Sequence, residues 1–268
     1  MGSLTQVILV ILSTCYTNGL SLNDLYPYGT EHGDTMSTRY IGLSEKSIQP
    51  PIDNFVRFGQ AGFTLQYYSV RSRGSIDFRH EFTAYIRLHL LKTRGAYSYN
   101  KIYGRTTADS GLIKRAMDQI NEGFPNTFCS TSPPTQLIIA TWIDYEKDDS
   151  NPGSNFQAII VTNGSITFGI ALYVDVHVTS ADETGLSSNI NSNSVPADPS
   201  FFPFGTTVTK APTMMLNSNI PGTYIFSLND IPPDTCSSAC FSCKSRLFEL
   251  VCEIRRINGE DVPTSCNN

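Results

Sequence analysis

Strong charge of one sign is missing from this chain: only 16% of its 268 residues are charged, and the formal net charge is −5. No cluster of Lys and Arg is present, so nucleic acid is not expected as a partner. Hydrophobic residues make up 40% of the chain. This composition excludes an intrinsically disordered protein and allows one large domain, or one domain with a small appendage.

Long hydrophobic runs are also missing. The most apolar stretch is residues 7–12 (Val-Ile-Leu-Val-Ile-Leu), far short of the roughly 20 apolar residues that a membrane span needs. Its length suits the apolar part of a signal peptide, and Thr17 and Gly19 suit a cleavage site before Leu20. We therefore expect a signal peptide over residues 1–19, secretion and no membrane span. The alternative is a buried N-terminal strand.

Enzyme signatures are absent as well. The sequence has no Gly-x-Ser-x-Gly, no His-Glu-x-x-His and no phosphate-binding loop. The histidines are scattered, and we expect surface or structural roles for all four: His32, His80, His89 and His177.

The strongest candidate for chemistry is an acidic cluster beside the single tryptophan, Trp142. Its members are Asp144, Glu146, Asp148 and Asp149. Two residues apart on a strand, Asp144 and Glu146 would share a face at about 6–7 Å between Cα atoms. Such a pair could serve a glycosidase or a calcium site.

We interpret the acidic cluster as a solvated strand end, place Trp142 in the core and expect no cofactor and no metal. Two alternatives would use Trp142, Asp144 and Glu146 as site residues: a secreted hydrolase and a glycan-binding β-sandwich.

The clearest secondary-structure pattern surrounds residues 163–164 (Asn-Gly), a pair that favours a two-residue type I′ hairpin turn. After it, apolar residues recur at every second position, which places them on one sheet face. They are Ile166, Phe168, Ile170, Leu172, Val174, Val176 and Val178. The strand before Trp142 is apolar on both faces, which predicts a central position in the sheet.

One helix is predicted near residues 110–122, where Asp109 or Ser110 can cap the start and Gly123 with Pro125 ends it. Periodicity is lost from residue 179 to residue 219, so we expect a loop there. The predicted fold class is α+β: predominantly antiparallel β with a sandwich-like sheet core, one main helix, and a disulfide-rich C-terminal tail.

Cysteine is almost absent from the first 235 residues, where only Cys15 and Cys129 occur. Cys15 falls in the predicted signal peptide. The six that remain are expected to form disulfides in a secreted chain, with 15 possible connectivities. They are Cys129, Cys236, Cys240, Cys243, Cys252 and Cys266. We predict three segments: residues 1–19, residues 20–231 as one domain, and residues 232–268 as a cysteine-rich appendage.

A single Asn-x-Ser/Thr sequon is present, formed by Asn163, Gly164 and Ser165. In a secreted protein such a site can carry a glycan. The same asparagine could simply satisfy the turn, and the two roles are compatible because a hairpin tip is exposed.

Several segments together resemble the NIDO domain, the extracellular module of nidogen, alpha-tectorin and related proteins. Residues 25–29 (Leu-Tyr-Pro-Tyr-Gly) and 33–34 (Gly-Asp) are similar to its opening. Residues 218–224 (Ser-Asn-Ile-Pro-Gly-Thr-Tyr) are similar to its closing Asn-x-Pro-Gly-x-Trp. The other matching segments are residues 74–78 (Gly-Ser-Ile-Asp-Phe), 93–95 (Thr-Arg-Gly), 102–107 (Ile-Tyr-Gly-Arg-Thr-Thr), 140–142 (Ala-Thr-Trp), 155–158 (Asn-Phe-Gln-Ala) and 163–164 (Asn-Gly).

This resemblance covers about residues 25–228 and implies a non-enzymatic extracellular module in cell–matrix adhesion. Its partners would be extracellular matrix or cell-surface proteins. The sequence departs from the family before residues 93–95, where an acidic Trp-x-Asp-x-Asp strand is usual and His89-Leu90-Leu91-Lys92 stands here.

Overall fold

The computed structural model describes residues 19–38, 42–52, 64–80, 84–93, 101–129, 132–190 and 193–228. These residues form twelve strands and one α-helix. In chain order they are β1 (Thr35–Thr38), β2 (Lys46–Ile52), β3 (Leu65–Arg71), β4 (Ser75–His80), β5 (Ala84–Lys92), β6 (Lys101–Thr107), α1 (Ser110–Gly123), β7 (Gln136–Tyr145), β8 (Ser154–Thr162), β9 (Thr167–Asp175), β10 (Glu183–Ile190), β11 (Asn193–Asp198) and β12 (Thr223–Ser227).

The strands form two six-stranded sheets in which every strand pair is antiparallel. Sheet A has the order β1-β6-β7-β8-β9-β12, and sheet B has the order β11-β10-β5-β4-β3-β2. The predicted sandwich-like antiparallel core is therefore confirmed. The predicted cysteine-rich tail, residues 232–268, lies outside the described residues.

Alternation along the strands of sheet A explains why both of its faces are buried. On one face Trp142, Phe156 and Tyr173 belong to the core shared with sheet B. On the other face Ile139 and Ile159 belong to a second core under α1. β7 and β8 occupy the two central positions, and for β7 this was predicted from its apolar character on both faces.

Helix α1 follows the sequence signals closely. The Asp109 side chain accepts a hydrogen bond from the Leu112 amide at 2.9 Å, which caps the first turn. Ala116 and Ile120 are buried against sheet A. The helix thus forms a third layer, and its apolar stripe (Leu112, Ile113, Ala116, Met117 and Ile120) is a packing face.

The hairpin between β8 and β9 is present, but its connection differs from the predicted two-residue turn. Thr162 pairs with Thr167, which leaves a four-residue loop over residues 163–166. Only Gly164 of this loop has a positive φ, 96°. A type I′ turn needs positive φ at both central residues, so this prediction is wrong.

Two further expectations from the pattern are also wrong. β9 ends at Asp175, and beyond it Val176 and Val178 pack in the core between the sheets rather than under α1. The segment from residue 179 to 219, expected as loop, contains β10 and β11. These strands are rich in Ser and Asn and lie at one side of sheet B, where β10 pairs with β5 and β11 pairs with β10. Pairing rather than hydrophobic alternation positions them.

Candidate functional site

The acidic cluster lies at the irregular end of β7. The pairing of β7 with β8 shifts register between Trp142 and Tyr145. Asp144 and Glu146 both have positive φ, 56° and 55°, and the strand ends between them at Tyr145. The expectation that the two carboxylates share one face of a regular strand is therefore wrong.

The carboxylates of Asp144 and Glu146 each accept hydrogen bonds from nearby side chains. Asp144 accepts hydrogen bonds from the amino groups of Lys101 and Lys147, each at 3.2 Å. Partial burial would raise the pKa of Asp144, but these two bonds outweigh it and leave the pKa lowered. Glu146 accepts a hydrogen bond from the Thr93 hydroxyl, and its burial raises its pKa.

The other two acids belong to the turn that follows. Asp148 accepts hydrogen bonds from the amides of Ser150 and Asn151 at 2.7 and 2.8 Å, which fixes the loop. Asp149 is exposed. Within the described ranges, no group of three or more His, Cys, Asp and Glu is placed to hold a metal ion. The cluster therefore builds the connection from β7 to β8.

Trp142 is fully buried between the two sheets. Its ring stacks on Phe156, with centroids 4.9 Å apart and an interplanar angle of 13°. Its indole nitrogen donates a hydrogen bond to the main-chain oxygen of Arg71 at 2.9 Å. The prediction that Trp142 belongs to the core is confirmed, and a sugar cannot stack on a ring that solvent does not reach.

Three histidines have the expected surface or structural roles. His32 and His177 are exposed, and Nδ1 of His80 is hydrogen-bonded to the main-chain oxygen of Thr64 at 2.7 Å. The fourth, His89, is buried on sheet B, beside residues of β10 that the sequence did not connect with it.

His89 has the composition of a catalytic triad around it, but not the geometry. Its Nε2 lies 2.9 Å from Oγ of Ser187 and 3.2 Å from a carboxylate oxygen of Glu183, while Nδ1 has no hydrogen-bond partner. In a triad the acid and the nucleophile bond opposite nitrogens of the ring. Burial lowers the pKa of His89 to about 4, so the ring is neutral at pH 7.

A second buried polar group on sheet B is Asp77. Its carboxylate accepts hydrogen bonds from Arg71 at 2.9 Å and from Arg87 at 2.5 and 3.0 Å. The two arginines come from the neighbouring strands β3 and β5, and the carboxylate has no exposed surface. This arrangement bridges three strands across the sheet.

A buried polar network joins the N-terminal strap, defined as residues 20–34, to the centre of sheet A. The side-chain amide of Gln157 pairs with the backbone of Tyr26 in both directions, accepting from N at 2.7 Å and donating to O at 2.9 Å. It also donates to the Thr141 hydroxyl at 2.8 Å. A single side chain thus replaces the partner strand that this stretch of backbone lacks.

The Tyr26 side chain extends the network to helix α1. Its hydroxyl donates to Gln119 at 2.7 Å, and the Arg115 guanidinium lies 4.0 Å above its ring. The same guanidinium bonds the main-chain oxygens of Asp24 and Leu25. The strap is therefore fixed between the sheet and the helix.

A buried ion pair closes the far end of the strap. Arg105 on β6 donates to Asp34 at 2.7 Å, and the other oxygen of Asp34 accepts from the Gly29 amide at 2.7 Å. Gly29 has a φ of 114°, which only glycine adopts readily. The Gly and Asp of the opening motif thus serve backbone geometry.

Segments far apart in the sequence converge here. Tyr26, Thr141 and Gln157 meet on one face of sheet A, while Trp142 and Phe156, from the same two strands, stack on the other. Residues 25–29, 140–142 and 155–158 are recognisable motifs in the sequence, but nothing in their spacing indicates that they touch. The motifs form a packing signature rather than a reaction centre.

The sequon lies in the 163–166 loop. Asn163 is partly exposed; its Oδ1 accepts hydrogen bonds from the Ser165 and Ile166 amides at 3.1 and 2.8 Å, and its Nδ2 donates to Oγ of Ser132 at 2.9 Å. Asn163 therefore has the turn role, and its glycosylation remains a prediction.

Of the cysteines, Cys129 is disulfide-bonded. The other predicted disulfide cysteines lie outside the described residues: Cys236, Cys240, Cys243, Cys252 and Cys266. In the part of the chain described, no helix is long and apolar enough to cross a membrane.

The family model of the nidogen-like domain matches residues 66–230, more than half of the chain. Alpha-tectorin from Mus musculus and from Homo sapiens are each 31% identical over 88 residues. This stretch covers 32% of the present chain and only 4% of the length of each relative. No solved structure matches. The extent of the family match shows that the chain belongs to the nidogen-like domain family.

Proposed function

We propose that the chain is a secreted, non-enzymatic module of the extracellular matrix that takes part in cell–matrix adhesion. Its partners would be matrix or cell-surface proteins. Family membership supports an extracellular matrix module, and the similarity to alpha-tectorin supports the same location.

One observation carries the non-enzymatic part. The residues that a hydrolase or a lectin would use each have a structural partner: Trp142 stacks on Phe156 and bonds Arg71, Asp144 bonds two lysines, and Glu146 bonds Thr93. The partners belong to different elements, because Arg71 ends β3, Lys101 begins β6 and Thr93 follows β5. A catalytic pair needs its carboxylates on opposite sides of one bond of the substrate.

The experiment is expression of the full chain in secreting animal cells. We expect the protein in the medium, beginning at Leu20 and without free thiols in denaturant. Coated on plastic, it should support cell attachment or bind a cell-derived matrix. The same protein after reduction and alkylation is the unfolded control.

Two outcomes contradict the proposal at different levels. A chain that stays in the cytosol with every thiol titratable contradicts secretion. A secreted, oxidised chain that binds cells and matrix no better than its unfolded control contradicts adhesion alone.

A further inference from the structure

The two sheets, as described, end in four edge strands: β1 and β12 of sheet A, β11 and β2 of sheet B. The outer main-chain groups of an edge strand can pair with a strand of another chain unless they are protected. Three of these edges are protected. β2 contains residues 50–51 (Pro-Pro) and β11 contains Pro196, and proline cannot donate a hydrogen bond to an added strand. The outer side of β12 is occupied, because the Leu216 amide donates to the main-chain oxygen of Thr223 at 3.1 Å and the Ile225 amide donates to that of Leu216 at 2.9 Å.

β1 is the edge strand that lacks these features. Its sequence, Thr35-Met36-Ser37-Thr38, contains no proline and no charge. Within the described ranges β1 pairs with β6 alone, and its main chain makes no other hydrogen bond. In an antiparallel pair alternate residues turn both their N–H and their C=O away from the partner. Two of the four residues of β1 therefore offer their main-chain groups to a further strand. Thr35 and Met36 are exposed, Met36 to 47%.

The sequence of β1 is complementary to a second copy of itself. Antiparallel pairing of two identical strands about a two-fold axis places one residue opposite its own copy. With Met36 on this axis, the one apolar residue of β1 meets the same residue of the partner, and Thr35 faces the partner's Ser37. Opposed Thr and Ser are favourable cross-strand pairs, and no like charges face each other along the strands.

Side chains beside Met36 extend the apolar surface of this edge. Met36 is paired with Tyr103 on β6, so both lie on the face of sheet A that the strap covers. Tyr103 packs against Tyr28 of the strap, with ring centroids 5.7 Å apart. Both tyrosines are partly exposed. An apolar side chain added opposite Met36 would therefore lie beside an aromatic surface.

The exposed charges nearest to the two ends of β1 differ in sign. Glu31, whose side chain is 69% exposed, lies in the turn before β1 with His32, whose formal charge at pH 7 is zero. Lys101 is paired with the last residue of β1, and together with Lys147 and Asp144 it leaves one net positive charge. Because an antiparallel partner runs in the opposite direction, the acidic end of one copy would lie beside the basic end of the other.

We propose that two copies of the chain pair antiparallel through β1, so that sheet A continues from one copy into the other. The strand has only four residues, whereas a stable protein–protein interface usually buries about 1,200–2,000 Å². We therefore expect a reversible dimer that forms as the concentration rises. This inference concerns a second copy of the chain, goes beyond adhesion to the matrix and does not require it.

The test is analytical ultracentrifugation of the purified full chain from about 1 μM to about 1 mM, a range that includes weak specific association. The mean mass should rise with concentration toward twice the mass of the monomer. Amide hydrogen exchange at residues 35–38 should slow in parallel, because pairing would bind main-chain groups that are open in the monomer.

Two matched variants locate the contact. Met36→Lys places a charge at the centre of the edge, opposite its own copy, and should abolish the rise in mass. Met215→Lys is the control, because Met215 is 44% exposed but lies in the segment before β12, at the opposite edge of sheet A. It should dimerise like the parent. Both substitutions are at exposed side chains, so both variants should keep the denaturation midpoint of the parent.

Three results would overturn the pairing. The first is a parent that stays monomeric up to about 1 mM. The second is a Met36→Lys variant that behaves like Met215→Lys, whether both dimerise or neither does. The third is a dimer in which residues 35–38 exchange as fast as in the monomer, because the contact would then lie elsewhere. Secretion and adhesion are measured separately and are not decided by any of these results.

Discussion

The indole nitrogen of Trp142 on sheet A donates a hydrogen bond to the main-chain oxygen of Arg71 on sheet B, 2.9 Å away. The two strands that carry these residues belong to different layers, so one side chain both fills the core and joins the sheets. Loss of this ring removes contacts on both sides of the interface.

We therefore expect Trp142→Ala to lower the free energy of unfolding by about 3–5 kcal/mol, the range for truncation of a core aromatic. A domain has only about 5–15 kcal/mol in total, so secretion should fall as well. Trp142→Phe keeps the stack on Phe156 and loses mainly the hydrogen bond, so its loss should be smaller. Denaturant unfolding measures both. Tyr67→Ala, at a side chain that is 39% exposed, is the control. Equal stability of Trp142→Ala and the parent would contradict the core role.

For the acidic cluster we expect substitutions to change the free energy of unfolding only slightly. Asp144→Asn removes exposed ion pairs, which are usually worth about 0–1 kcal/mol, and should change stability by no more than that. Glu146→Gln keeps an acceptor for Thr93 and should also be mild. Cell attachment should be unchanged in both variants. Loss of attachment without loss of fold would instead identify these carboxylates as site residues.

Gln157→Leu should release the N-terminal strap. It leaves the buried N–H and C=O of Tyr26 without partners, at a cost of about 1–3 kcal/mol for each group. Amide hydrogen exchange over residues 24–29 should accelerate. The matched variant Gln119→Leu loses only the bond from the Tyr26 hydroxyl and should be milder. Unchanged exchange in Gln157→Leu would show that the strap is held by other contacts.

His89 should make stability dependent on pH on the acid side. Burial lowers the pKa of His89 in the folded protein to about 4 against the pull of Glu183, while the pKa of an unfolded histidine is near 6.5. Between these values the unfolded state binds more protons. Stability is therefore fully present above about pH 6.5 and falls toward pH 4, by at most about 1.4 kcal/mol per pH unit.

Because Glu183 and other groups also titrate below pH 5, the test compares slopes. The decline in free energy of unfolding from pH 6.5 to 5 should be smaller in His89→Gln than in the parent. His177→Gln, at an exposed residue, should keep the parent slope. Identical slopes in all three proteins would refute a buried neutral His89.

The glycan predicted on Asn163 can be separated from the role of Asn163 in the turn. In the secreted parent, enzymatic deglycosylation should lower the mass. Ser165→Ala removes the sequon but leaves the Asn163 side chain to accept from the Ser165 and Ile166 amides. It should abolish the mass shift with little loss of stability, whereas Asn163→Gln should lose both. No mass shift in the parent would reject the glycan.

Local signals in the sequence were sufficient for several elements. Asp109, the apolar stripe and Gly123 predict α1 because a helix is determined by residues three and four positions apart. The burial of Trp142 followed from a strand that is apolar on both faces. By contrast, β10 and β11 form through pairing across the chain, so Ser- and Asn-rich residues gave no alternation to detect.

The polar contacts also could not be predicted from local sequence patterns. Tyr26 and Gln157 are 131 residues apart, and His89 and Ser187 are 98 apart. Each residue was visible in the sequence, but only the topology of the sheets brings the partners together. The positive φ of Asp144 and Glu146 occurs where the pairing of β7 with β8 shifts register, which no local pattern in the sequence indicates.

The double covering of sheet A determines how the module can open. From Phe156 to Thr162 every residue of β8 is buried, with sheet B on one side and α1 with the strap on the other. Water can reach these amides only if a whole layer separates, so their hydrogen exchange should track global unfolding. Of the four edge strands, β12 is buried from Thr223 to Phe226, so local opening would begin instead at β1, β2 and β11. The centre of the module would remain closed until the fold is lost as a unit.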